Sequence, residues 1–430
     1  MTIPLGKLVN RGIIKLNISE LIFDFIIISF FLWKAMDPIY TITTLDNMDK
    51  GYNKENAFAA EMEARGTMEH EASIEDITKI VDGIKLNHMV EDASVTRKFS
   101  YPVSTSTTMV SYRSEESGDW IFLTLYSGYS PYAQPYLNIT GYTDANTGKT
   151  PVINREIPAE NICYLSSMAA AQLFPDKSNP VGKKVWTRRD TLTVAGVIND
   201  VTAYYGTYTS LIINFEPLPE SFIPALYNHM DIIIKLKGNA DPDKFRKHFM
   251  ENEMQNLRSG NCRIAGIKSF DEIYTDVRTE IGIAGQTKLQ YMLSLFFIAC
   301  AFLGIAGTIW MKCNRRRSEI GLLRAMGSTK AGILKMFFTE SAILVTLSYM
   351  IALIPLAAIT LNSNEFMLSS DYLNLTIDNT SPYLYKRFLP HFGIVTILTY
   401  ATLVGTAFLG TYITVHKYST QQPSQALREE

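Results

Sequence analysis

The sequence has little net charge, little cysteine and no repeat. Across 430 residues, 40 Lys+Arg stand against 42 Asp+Glu, a net charge of −2, which excludes a strongly basic nucleic-acid binder. A hydrophobic share of 47% with ordinary glycine and proline excludes a disordered or collagen-like chain. Four cysteines do not make a disulfide framework at this length; a bridge between Cys163 and Cys262 and two separate buried thiols both remain open. Catalytic patterns are missing too. Gly148-Lys149-Thr150 resembles the end of a phosphate loop, but position 143 is Thr, so it reads as a hairpin turn. His70-Glu71 starts a zincin pattern that fails at Ile74, and no G-x-S-x-G occurs.

The near-zero charge is an average over unlike parts. Residues 36–286 hold 24 basic and 33 acidic side chains, a net of −9, and the remainder carries +7. That remainder also holds the long apolar runs. Leu289–Met311 has no charged side chain over 23 residues, enough to cross a hydrocarbon core of about 30 Å. Met336–Leu361 is interrupted only by Glu340 and Pro355, and Phe392–Val415 is bounded by His391 and His416-Lys417. Leu21–Trp33 is shorter and contains Asp24, so a span there needs extension toward Ile13 or Tyr40. Lys7, Arg11 and Lys15 before it also suit a signal peptide, but Trp33-Lys34-Ala35-Met36 offers no small-x-small cleavage site, which favours an uncleaved helix.

Charge sets the orientation. Lys312, Arg315, Arg316, Arg317, Arg324, Lys330 and Lys335 crowd one loop against the single acid Glu319, so the positive-inside rule makes that loop cytoplasmic. The expected fold class is therefore a four-helix integral membrane protein with a large α+β extracytoplasmic domain between the first and second spans. Its segments are 1–17 cytoplasmic, 18–37 first span, 38–286 external, 289–311 second span and 312–335 cytoplasmic loop. They continue with 336–361 third span, 362–390 short external loop, 391–415 fourth span and 416–430 cytoplasmic. Within the external block, Ser73–Leu86 has a helical apolar face of Ile74, Ile77, Ile80, Val81 and Ile84. Ile121–Tyr126, Thr191–Ile198 and Asp231–Lys237 read as strands, and a helix follows Asp241-Pro242.

The loop Asn314–Phe338 must turn compactly between two spans. Ile320, Leu323 and Met326 recur on one face, and Gly327-Ser328-Thr329 stops one short helix and caps the next. A plain basic loop explains the arginines but neither the apolar face nor the stop. The run RRSEIGLLRAMGSTKAGILKMFFTESAIL resembles the coupling-helix signature of MacB-type ABC-transporter permeases with an FtsX-like permease domain. SSMAAAQLFPDKSNPVGKKV followed by TLTVAGVINDV, the helix and VEDASV unit of Ser73–Val95, and the ending QPSQALREE resemble further motifs of that family.

The resemblance implies a subunit without chemistry of its own, with no cofactor bound directly and ATP-Mg held by a separate ABC ATPase. Such permeases pair with a second permease subunit, homo- or heterodimeric, in the bacterial inner membrane with the large domain in the periplasm. A membrane-fusion protein and an outer-membrane channel belong to some such assemblies. Glu319, Ile320, Gly321, Leu323, Arg324, Ala325, Met326 and Gly327 match the positions that dock on the ATPase, and Glu340 and Pro355 are hinge or transmission candidates. Expected cargo is a peptide, lipoprotein, lipid or amphipathic drug. The alternatives are a signalling module controlling a periplasmic partner such as a cell-wall hydrolase, and a membrane-anchored sensor or enzyme.

Overall fold

The computed structural model describes residues 13–64, 72–104, 108–115, 118–153, 161–176, 178–188, 190–202, 208–218, 221–222, 230–363 and 382–420. The chain divides into two compact units, Asn47–Gly285 and Met1–Asp46 with Gln286–Glu430. His70, Glu71 and the C-terminal QPSQALREE lie outside the described residues.

The first unit is α+β, built on an 11-stranded mixed sheet. Its strands are β1 Ala57–Ala64, β2 Val90–Arg97, β3 Met109–Tyr112, β4 Ile121–Tyr129, β5 Ile162–Ser166, β6 Lys184–Trp186, β7 Thr191–Ile198, β8 Leu211–Glu216, β9 Met230–Leu236, β10 Arg258–Ser259 and β11 Cys262–Ser269. The order is β10-β11-β1-β9-β2-β4-β8-β5-β7-β6, with β3 on β4. Only the pair Thr96–Gly128 joins β2 to β4, so the sheet has two halves. Thr96 clamps this joint, its hydroxyl donating to the Ser127 carbonyl at 2.8 Å. A Cβ on Gly128 would sit 2.9 Å from the Phe215 ring, so the joint admits glycine at little strain and a larger residue only with movement. The second half closes on itself where Arg113 and Trp186 exchange backbone hydrogen bonds of 3.1 and 2.9 Å.

Periodicity explains which faces are covered. β7 alternates, burying Leu192, Val194 and Ile198. β9 is buried along nearly its whole length because both faces are covered. Ile232 and Ile234 enter a core with Ile77, Ile80, Val81 and Ile84 of α2, Ile74–Lys85. Ile233 faces an aromatic core of Tyr126, Tyr136, Tyr164, Phe215 and Phe270. Helices α3 (Ala133–Thr140), α4 (Ser167–Leu173), α5 (Pro242–His248) and α6 (Phe270–Glu280) complete the unit. The helix expected after Asp241 is α5, followed by a π-helical turn at Phe249–Glu253.

Two of the absences in the sequence acquire explanations here. Gly148, at φ 65°, ends a turn in which the Asp144 carboxylate accepts from the amides of Asn146 and Thr147. Cys163 and Cys262 are free thiols buried in different cores, so no bridge joins them. Burial pushes the Cys262 thiol up to about 12 and the Cys163 thiol still further, which makes both inert packing groups.

The second unit is helical: α1 Ile13–Asp46, α7 Ile283–Arg315, α8 Arg317–Ala325, α9 Lys330–Ser363 and α10 Pro382–Thr420. Among the described residues, three stretches are long and apolar enough to cross a membrane, Ala284–Lys312, Lys330–Thr360 and Leu389–Lys417. Each helix overruns the apolar run that announced it, since backbone hydrogen bonding continues past the last apolar residue. The segment expected as the first span, 18–37, lies within α1. α1 is a single 34-residue helix that takes both extensions, and it ends at Asp46 rather than near residue 37. The sheet unit accordingly begins at Asn47 instead of residue 38. α1 is not one of these three stretches. It packs on α9 and α10 through Phe25 and Leu32. A Cβ on Gly410 of α10 would lie 3.2 Å from the Ala306 Cα of α7, so glycine lets these backbones approach closely.

Candidate functional site

The elbow between α7 and α9 is held by a network of four charges around Arg316. Its Nε and Nη2 donate to the two carboxylate oxygens of Glu319 at 2.6 and 2.7 Å, the bidentate arrangement that a planar guanidinium favours. Its Nη1 donates to Glu340 at 2.6 Å, and Lys312 reaches the other Glu340 oxygen at 3.1 Å. The guanidinium also lies 4.8 Å from the centre of the Phe337 ring. The two carboxylates, with Glu319 first, hold Arg316 above even its usual high range, so the guanidinium keeps its charge at any physiological pH. Glu340 thereby ties the end of α7 and the start of α8 to α9. Pro355 lies further along α9 on an exposed surface, where its missing N–H leaves a break in the hydrogen-bond ladder.

The far end of α8 is closed by backbone geometry. Gly327 adopts φ 89°, a left-handed conformation that costs glycine little. Its amide donates to the Arg324 carbonyl at 3.0 Å, and the Ser328 amide donates to Leu323 at 3.0 Å. Those two bonds are the Schellman pattern. Thr329 then caps α9, its hydroxyl accepting from Gly332 at 3.0 Å.

The structure sorts the expected docking residues into two sets. Ile320 is fully buried, Gly321 is buried, and Leu323 packs against the helical core with Ile333 and Phe337. The Ile320 side chain faces the unit's own bundle. Arg324 is half-buried, and Glu319 is engaged with Arg316. The outward surface is Leu322, Ala325, Met326 and Gly327, with Leu322 52% and Met326 62% exposed. Leu322 had not been singled out from the sequence. The i, i+3 rhythm of Ile320, Leu323 and Met326 hides it, because Ile320 and Leu323 lie against the helix's own bundle while Met326, at the end of α8, faces outward with Leu322. Arg316 and Lys312 were legible only as basic residues; Glu340 meets them through the fold. Among the described residues no cluster of three His, Cys, Asp or Glu could hold a metal ion.

The sequence and this elbow find counterparts among known proteins. The family model described as FtsX-like permease C-terminal matches residues 291–423. One relative is the uncharacterized ABC transporter permease YknZ of Bacillus subtilis, 21% identical over 210 residues, 47% of this chain and 51% of that protein. Another is the macrolide export ATP-binding/permease protein MacB of Neisseria meningitidis serogroup A, 22% identical over 292 residues, 65% of this chain and 42% of that protein. The chain thus spans about half, or less, of the length of these curated relatives. Among solved structures, the chain is similar to the periplasmic region of MacB from Actinobacillus actinomycetemcomitans, with a TM-score of 0.33 and 11% identity over 55% of this chain and 98% of that one. It is also similar to the extracellular domain of a YknZ transporter from Gram-positive bacteria, with a TM-score of 0.31 and 15% identity over 48% of this chain and all of that one. The matched residues include the whole elbow and its Glu340 tie.

Proposed function

We propose that the chain is the permease subunit of an ABC transporter of the MacB type, and that it passes movement rather than catalysing a reaction. A separate ATPase, holding ATP-Mg, seats on Leu322, Ala325 and Met326 at the tip of α8. ATP-driven movement there is carried by the Arg316–Glu340 tie into α9, and the helical unit passes it to the α+β unit on the extracytoplasmic side. On this reading α1 is the fourth span, the subunit pairs with a second permease in the inner membrane, and the α+β unit is periplasmic. Cargo is a peptide, lipoprotein, lipid or amphipathic drug met outside or within the bilayer.

The observation that carries the reading is the elbow itself. A short helix between two apolar helices is fastened on one side by four charges and by buried Ile320, and leaves two large apolar side chains in water. A merely decorative positive-inside loop needs none of this. Purification of the full chain from its native membrane, with identification of what comes with it, tests the proposal. A lone Walker-A ATPase in stoichiometric amount is expected, and its reproducible absence would refute it. A co-purifying peptidoglycan hydrolase would turn the same lever toward signalling.

A further inference from the structure

In the sheet unit, β3, β4 and β6 each alternate, and one of their two faces is turned to solvent. Tyr112, Leu123 and Val185 point into a core shared with Leu165 and Leu192. Their neighbours along each strand point the other way. There Ser111 stands opposite Phe122 and Met109 opposite Thr124, and Arg113 pairs with Trp186 at the edge of the sheet. On this second face Met109 is 53% exposed, Phe122 62% and Trp120, which precedes β4, 38%. Two guanidiniums attend the same ring: Arg113 lies 4.6 Å and Arg188 6.0 Å from the centre of Trp120.

The charges on this face are arranged unlike those elsewhere in the unit. Arg97, Arg246 and Arg263 each meet a glutamate, Glu216, Glu272 and Glu63 in turn. Among the described residues, Arg113 and Arg188 have no carboxylate partner, and Glu115, Asp119 and Asp190 nearby in sequence form no ion pair with them. Lys184, exposed on β6, adds a third positive charge. Residues 36–286 carry −9 overall, so positive charge gathered beside exposed rings singles out an anionic partner. Tryptophan, phenylalanine, methionine and arginine are also the residues enriched at the centres of protein interfaces, and tryptophan and arginine most often dominate their energy. A guanidinium stacked on a ring keeps its outer N–H groups for a carboxylate. Because both guanidiniums share one ring, carboxylates on alternate residues of an extended chain, about 7 Å apart, suit the pair.

We propose that this face of β3, β4 and β6 is a docking surface for an acidic segment of a partner protein. Its carboxylates are held by Arg113 and Arg188, and its apolar side chains cover Trp120, Phe122 and Met109. Positive charge selects the sign of the partner and speeds encounter, while the rings supply the contact area from which water is expelled. The recognised segment carries Asp or Glu at alternate positions with a large apolar residue close by. This inference does not depend on the permease reading, since it concerns one face of the sheet unit.

The probe is a displayed library of random dodecapeptides, selected on the full chain in phosphatidylcholine nanodiscs. The double variant Arg113→Gln, Arg188→Gln serves for counter-selection. Surviving peptides should combine Asp or Glu with Leu, Phe or Trp. Fluorescence anisotropy of the labelled peptides should show binding to the parent that weakens at least about tenfold in the double variant and in Phe122→Ser. Raising the salt from about 50 to 500 mM should weaken it as well. No surviving peptide, survivors without acidic enrichment, or undiminished binding in the variants overturns the proposal. Alginate and phosphatidylglycerol vesicles are tested beside the peptides. Binding of either that needs the two arginines, with no peptide selected, reassigns the face to a glycan or a lipid surface and overturns it. So does self-association of the parent that the double variant abolishes, which assigns the face to a second copy. Should the double variant fail to fold, Phe122→Ser, at a side chain already in solvent, decides by the same readout.

Discussion

The two units of this chain treat their apolar and polar residues in opposite ways. In the sheet unit, Ile232, Ile233 and Ile234 are all buried, and charges such as Arg97–Glu216 and Lys268–Asp276 pair at the surface. In the helical unit Leu295, Phe296, Ile343, Ile354 and Ile397 face outward, and Ser29, Asp37, Ser348, His391 and Thr399 face inward. The same chemistry produces both patterns if the surrounding medium differs. Water drives apolar groups into a core, whereas lipid leaves apolar surfaces unpenalised and turns polar groups toward one another.

The sharpest test of this contrast uses one large side chain from each unit. Phe215→Ala empties a site between Tyr136 and Tyr164 and should destabilise the sheet unit by about 3–5 kcal/mol, read by hydrogen exchange of residues 47–285. Ile354→Ala, at a side chain 70% exposed, should leave the helical unit's thermal midpoint in bilayers unchanged. Ile354→Lys should lower membrane insertion by about 2.5–3.5 kcal/mol, because charge rather than volume is what lipid resists. An equal loss from the Ala and Lys variants would break the comparison.

Polar burial gives the next test. In the sheet unit, Asp231 accepts from the amide of Phe99, a bulky residue held at φ 63°. Burial raises the Asp231 carboxyl to about 6, above its ordinary 3.8. A raised value means the folded state binds the proton more tightly, so this contribution is complete below 3.8 and is lost as the pH rises through 6. Asp231→Asn keeps an acceptor for Phe99 but cannot ionise. Its stability relative to the parent should rise by about 2–3 kcal/mol between pH 4 and pH 7, followed by thermal unfolding. The smallest effect belongs to the elbow. Glu340→Gln removes one charge from a half-exposed network and should cost about 1–2 kcal/mol of local stability, visible as faster hydrogen exchange in α8.

Much of this architecture was legible in the sequence, and the remainder was hidden for identifiable reasons. Long uncharged runs announced α7, α9 and α10, and alternation announced β4, β7 and β9, because each pattern follows from one element's own period. The Gly-Ser-Thr stop was equally local. What the sequence concealed depends on contacts between distant residues. Arg316 and Glu340 lie 24 positions apart, and Asp37 and His391 lie 354 apart. The extent of α1 was hidden by its mixed composition, since Pro38 and Asp37 suggest an end where the helix continues to Asp46. Ile320 matches a docking position of the family motif, and only the fold shows that its side chain is buried against its own bundle.

The central claim is that the exposed tip of α8 receives an ATPase. Its most direct test is ATP hydrolysis by the co-purified complex carrying Met326→Arg or Leu322→Arg, alongside the parent. The account predicts that either charge weakens association about thirtyfold or more, as expected for a central apolar anchor, and removes stimulated hydrolysis while insertion and thermal stability stay unchanged. Undiminished association and stimulation in both variants would contradict it.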